Sequence, residues 1–355
     1  MGLVPLIGLL GFSARSMVSD RASADDAART QLIMEFAVRG GNLLHETQKE
    51  RGATALYMAS GGTRFVEELP AQHTTTDGRR AEFETFLNEH RSDLPAGVLD
   101  MAESVQADLG DLEGRRSQVL ALGIDRGEVI RWYTAMNAKV IDAVAAGGVL
   151  AEVPELRGGV AAYGALLNAK ERAGIERAQL SAAFAQDEFS PGQFATVVSL
   201  VAAQTAFVDS FYELGSDEVL AYFAVRQDDP VVAQVAELEQ LAIGSPEGGF
   251  GVDSTVWFDL MTQRINLLKE VEDFQAETLL LDADAANTAA TASLWWSASI
   301  VALLVALTGA ATWFVSGSIR RQVREFVERA DEIAAGSIVV DDLDVHREDD
   351  LGRLA

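Results

Sequence analysis

The chain has 355 residues, 48% hydrophobic and 23% charged, which is enough apolar material for two or three folded units and too much for a disordered chain. Its 28 Lys+Arg against 54 Asp+Glu give a net charge of −26, so no nucleic acid is expected as a partner. With no Cys, disulfides, Cys-ligated zinc, iron–sulfur clusters and thiol catalysis drop out; the four histidines, His45, His73, His90 and His346, show no metal-ligand spacing, so neither metal nor cofactor is expected.

In chain order, Met1 to Ala14 is uncharged and mostly apolar, and residues 1–17 are expected to be part of a first transmembrane segment, incomplete at its start. Residues 18–292 then show helical rather than alternating periodicity, which predicts an all-α domain. Breaks are expected at Gly61-Gly62, Leu94-Pro95, Gly123, Gly147-Gly148, Gly215 and the Gly244 to Gly251 cluster. Ser190-Pro191-Gly192-Gln193 reads as a capping-box helix start, and Asp229-Pro230 as another. Val98, Ala102, Val105, Leu109 and Leu112 step by four and three, the spacing of an apolar seam in a helical bundle.

Internal similarity points to duplication. Lys49-Glu50-Arg51 recurs as Lys170-Glu171-Arg172 at an offset of 121, Phe65 and Phe83 recur as Phe189 and Phe207 at 124, and Trp132, Met136 and Lys139 have counterparts in Trp257, Met261 and Arg264 at 125. Two related helical halves place a ligand where side chains from several helices converge.

The stretches Gln48 to Gly62 and Asn168 to Ala178, with the segments 132–144 and 257–272, resemble the nitrate- and nitrite-sensing (NIT) family over roughly residues 28–275. The resemblance implies an all-helical extracytoplasmic sensor in which arginines from the two halves hold a small planar anion. Nitrate and nitrite carry no donors, so a site must offer several N–H groups in one plane, as a guanidinium does. Arg51, Thr54 and Met58 share a helix face. Arg172 matches Arg51 at offset 121 and Arg177 at 126, and the repeat leaves both open; Arg172 alternatively pairs with Glu176 at i,i+4. Arg51, Thr54, Arg172 and Arg177 are the candidate ligand-binding residues. His45 reads as a helix-surface residue, and Tyr57 and Tyr133 as core aromatics with satisfied hydroxyls. No kinase signature, nucleophile elbow or phosphate-cradling loop occurs, so no catalytic residue and no enzyme activity are expected.

Residues 293–315 are uncharged, with Trp295-Trp296 and Trp313-Phe314 at the ends, and Arg320, Arg321 and Arg324 follow; this predicts a transmembrane helix with the C-terminus cytoplasmic, in the inner membrane, in contact with lipid. Beyond it, Ile319, Val323, Phe326, Ala330 and Ile333 form a seam, 338–345 alternates, and a new helix is expected from Glu348, so 316–355 resembles an incomplete HAMP linker, a parallel dimeric four-helix bundle. The expected protein is therefore a homodimeric transmembrane receptor, a chemotaxis transducer, acting on cytoplasmic signalling proteins through an output domain beyond Ala355. A diguanylate cyclase or histidine kinase output, or a ligand-free membrane-anchored dimerisation module, are the alternatives.

Overall fold

The computed structural model describes residues 3–335, and among them every regular element is an α-helix. The helices are α1 (Leu3–Ala59), α2 (Glu68–His90), α3 (Ala96–Leu120), α4 (Arg126–Leu150), α5 (Pro154–Gln186), α6 (Gln193–Leu214), α7 (Asp217–Gln227), α8 (Pro230–Gly244) and α9 (Ser254–Ala334). The chain separates into two compact units, Ala22–Thr291 and the combination of Met1–Arg21 with Ala292–Ala355.

Within Ala22–Thr291, local chemistry sets most helix ends. Asp125, Ser216 and Asp229 each accept a backbone N–H in the first turn of the helix they cap, and Pro154 and Pro230 fill first-turn positions whose N–H groups would otherwise lack partners. The expected start at Ser190 moves to Gln193. The Gln193 side chain does accept from the Ser190 N–H, but Gly192 at φ 80° turns the backbone left-handed and delays the helix. Gly147-Gly148 is a second correction, since both lie inside α4. A Cβ at Gly147 would sit 3.0 Å from Ile33 and one at Gly148 3.0 Å from Val160, so these glycines serve close approach of α1 and α5 to α4 rather than a break.

Two apolar clusters form the cores of the halves. The first joins α1 to α4 with the start of α5 and part of α9, and contains the whole Val98–Leu112 seam, fully buried, with Phe36 against Phe83. The second joins α5 to α9 around Phe184, Phe211, Phe223, Trp257 and Met261. Burial reveals the register of the repeat. Met34, Ala37, Leu43, Glu50 and Thr54 correspond to Val160, Tyr163, Ala169, Glu176 and Leu180, an offset of 126; Val129, Tyr133, Val140 and Val144 correspond to Trp257, Met261, Leu268 and Glu272, an offset of 128. The offsets of 121 and 125 read from matching residue types are thus local coincidences, because a helix position is defined by the face it buries.

In the other unit, Asp20 accepts hydrogen bonds from Ser293 and Ser297. Trp295, Trp296, Trp313 and Phe314 are exposed, as are Ile319, Val323 and Phe326 of the expected seam. Both α6 and a stretch of α9 are long and apolar enough to cross a membrane. The alternation over 338–345 and the helix expected from Glu348 lie outside the described residues.

Candidate functional site

The α1–α5 crossing places two guanidinium groups side by side. Arg51 projects from the last turns of α1 and donates through Nη1 to Thr134 Oγ1 at 2.9 Å; Arg177 projects from α5 and donates through Nη1 to Thr262 Oγ1 at 2.8 Å. The arrangement is reciprocal: a Cβ at Gly52 would lie 3.4 Å from Arg177 Nη2, and one at Gly174 would lie 3.4 Å from Arg51 Nη2. Each arginine therefore lies against the small residue of the facing helix, and each is steered by a threonine one helix away. Trp257 Nε1 donates to the Arg177 carbonyl at 3.0 Å and the Phe258 ring sits 4.7 Å from the Arg177 guanidinium, fixing it from below.

The two cations differ in one respect. Arg51 makes a bidentate pair with Glu171, at 2.5 Å from Nη1 to Oε1 and 3.1 Å from Nη2 to Oε2, and Gln48 Nε2 donates to the same carboxylate at 2.8 Å. Arg177 has no carboxylate within ion-pair distance among the described residues. Burial, then the neighbouring Arg51 charge, pushes Arg177 down to about 10, which leaves it protonated at neutral pH but short of negative charge.

The other sequence candidates go elsewhere. Arg172 lies 6.0 Å from the centroid of the Phe207 ring, and Glu176, its expected i,i+4 partner, turns inward to accept from Gln204. Thr54 is buried on the side of α1 that carries Glu50, near the Tyr133 phenol. Tyr133 donates to Glu50 at 2.6 Å and Tyr57 to the Leu120 carbonyl at 3.2 Å. His45 is corrected from a surface position: it is half-buried, and desolvation followed by the charges of Lys170, Lys269 and Lys49 lowers it to about 2, so it is neutral. Glu171 and Gln48 lie in the repeated stretches but were not read as site residues, and Thr134 and Thr262 fall within the wider 132–144 and 257–272 segments without being singled out; a hydroxyl 83 or 85 positions from its arginine is visible only once the helices pack.

Beneath the arginine pair each half buries a carboxylate. Glu50 accepts from Arg116 Nε and Nη2 at 2.8 and 2.9 Å; burial opposes its ionisation, but the Arg116 and Tyr133 hydrogen bonds and the Arg116 charge together hold it below the usual carboxylate range. Glu176, its counterpart, faces Glu239 instead of an arginine, and desolvation with that like charge raises it to about 8. Lys170 is wholly buried against Glu272, an ion pair without access to water. No group of three or more acidic or histidine side chains able to hold a metal occurs among the described residues.

The profile of a family described as nitrate and nitrite sensing matches residues 42–280. A curated relative, the nitrate regulatory protein of Klebsiella oxytoca, is 26% identical over 244 residues, which are 68% of this chain and 61% of that protein, so the chain spans under two thirds of the relative's length. The solved structure of the NasR transcription antiterminator matches with a TM-score of 0.68 at 22% identity, covering 85% of this chain and 86% of that one, a likeness of fold.

These relatives overturn three expectations: the transmembrane chemotaxis receptor, its inner-membrane location with an extracytoplasmic sensor, and the exclusion of nucleic acid. The matched proteins are a nitrate regulatory protein and a transcription antiterminator. Physically, apolar length was a poor discriminator, since bundle helix α6 passes the same test as α9. The net charge describes these 355 residues and says nothing of the output a sensing bundle serves.

Proposed function

The chain belongs to the nitrate- and nitrite-sensing family, and from that premise we propose that its Ala22–Thr291 unit is a regulatory sensor holding nitrate or nitrite between Arg51 and Arg177. The observation that carries this reading is Arg177 itself: a buried guanidinium that feels the charge of Arg51, aimed by Thr262 and backed by Phe258, with no carboxylate of its own among the described residues. With Arg51 offset by Glu171, one guanidinium charge at the crossing lacks a counter-ion, and a planar monoanion matches the guanidinium fork. The name of the nitrate regulatory protein supports the same ligand class and a regulatory role.

The proposed modules are the sensor at 18–292, an apolar helical segment at 293–315 and a HAMP-like linker from 316, with no catalytic chemistry of their own. Ligand occupancy at the α1–α5 crossing is the signal passed on. In calorimetric titration of the full chain, nitrate or nitrite binds with one site per chain, and Arg177→Met or Arg51→Met weakens binding roughly ten- to a hundredfold through loss of charge-assisted donors. Arg177→Lys recovers little, because an ammonium cannot offer two N–H groups in a plane. Absence of any heat or thermal shift with either anion overturns the proposal.

A further inference from the structure

We propose that the Glu171 carboxylate is a built-in competitor for the anion site: it holds the Arg51 fork until nitrate or nitrite takes its place. This rests on the reading that Arg51 and Arg177 receive the anion. A carboxylate and a nitrate or nitrite each present two oxygens in a plane, and Glu171 already occupies the Nη1/Nη2 edge of Arg51, one of the bidentate edges such an anion can use. Arg51 Nη1 also donates to Thr134, so both Nη1 hydrogens are committed and the Nη1/Nη2 edge cannot receive a planar anion while Glu171 holds it. Gln48 Nε2, 2.8 Å from Glu171 Oε2, offers the displaced carboxylate a donor on the same helix as Arg51.

Two consequences follow from the charges. Arg51, Arg177 and Glu171 together carry +1, so a monoanion is admitted, but only one able to outbid a bidentate carboxylate gains the second fork. A spherical anion such as chloride cannot make two parallel N–H bonds, so the competitor excludes it more strongly than it excludes nitrate. Since Arg51 lies on α1 and Glu171 on α5, exchanging the internal carboxylate for the ligand also replaces a direct α1–α5 ion pair with a bridged one. The competitor thereby sets the concentration threshold and converts occupancy into a change at the helix crossing.

The test compares the full-length wild type with Glu171→Gln and Glu171→Asp by calorimetric titration and thermal shift, using nitrate, nitrite and chloride. Glutamine keeps the shape without the charge; aspartate keeps the charge on a shorter arm. Both variants should bind nitrate and nitrite more tightly, Glu171→Gln by roughly tenfold or more, with a much smaller gain for chloride. Weaker nitrate binding in either folded variant would mean that Glu171 only positions Arg51, and overturns the proposal. An equal gain for nitrate and chloride in Glu171→Gln, with none in Glu171→Asp, reduces the effect to long-range charge and also overturns it. If wild type binds nitrate and the variants gain nothing, the competitor falls and the sensor reading stands. If neither wild type nor variants bind either anion, the sensor reading falls, and the competitor with it.

Discussion

Replacing Glu176 with glutamine should stabilise the protein at neutral and alkaline pH. Glu176 is fully buried, accepts from Gln204, and faces Glu239, whose charge Arg264 partly offsets. Desolvation, reinforced by Glu239, raises its carboxyl from 4.5 to about 8, so the folded state keeps a proton that the unfolded chain releases. Stability from this group is therefore fully present below about pH 4.5 and is lost as pH rises toward about 8, at close to 1.4 kcal/mol per pH unit. Between about pH 5 and pH 7 this amounts to roughly 2–3 kcal/mol, a slope that belongs to the Glu176–Glu239 pair. Glutamine keeps an acceptor for Gln204 and gives Glu239 a donor without a titrating proton. Denaturant midpoints followed by circular dichroism at several pH values should show wild type losing stability across this window and Glu176→Gln losing less. Parallel pH profiles, or a variant weaker than wild type at about pH 8, would refute the reasoning.

Arg116→Met should cost about 3–5 kcal/mol, because it strips the counter-charge from the fully buried Glu50; adding Glu50→Gln should restore part of it, as read by chemical denaturation. Gly41→Ala should destabilise by about 1–3 kcal/mol, since the new Cβ would lie 2.0 Å from the Tyr163 hydroxyl. The penalty should shrink in a Tyr163→Phe background. That substitution alone should be near neutral, because the buried hydroxyl has no hydrogen-bond partner among the described residues; thermal denaturation of the four proteins checks both statements.

Glu50 and Glu176 show why register mattered more than residue identity. Both sit one residue before an arginine and both are buried, so as letters they promise the same chemistry. Arg116 reaches the first from α3, and Glu239 approaches the second from α8, which sends the two carboxyls in opposite directions. His45 likewise reads as a polar residue on a polar stretch until α5 and α9 bring Lys170 and Lys269 beside it. Such effects scale with distance and desolvation, quantities that a one-dimensional pattern does not carry.

What the chain's letters determined alone were the features with a local cause. The helical class follows from periodicity; the α3 seam follows from spacing; the start at Asp229 follows from capping chemistry; and Arg51 stands out within the stretch that resembles the family. The tertiary structure decided the partner of Arg51. Arg172 and Arg177 are five residues apart, which at about 100° per residue sets them on different faces of α5, so only one can meet α1 at the crossing. Packing turned Arg177 there, sent Arg172 to Phe207, and brought Glu171 from 120 positions away into the fork of Arg51. What a proposed sensor of this kind would control stayed illegible for a related reason: the residues at a helix crossing place no constraint on the function grafted onto the fold.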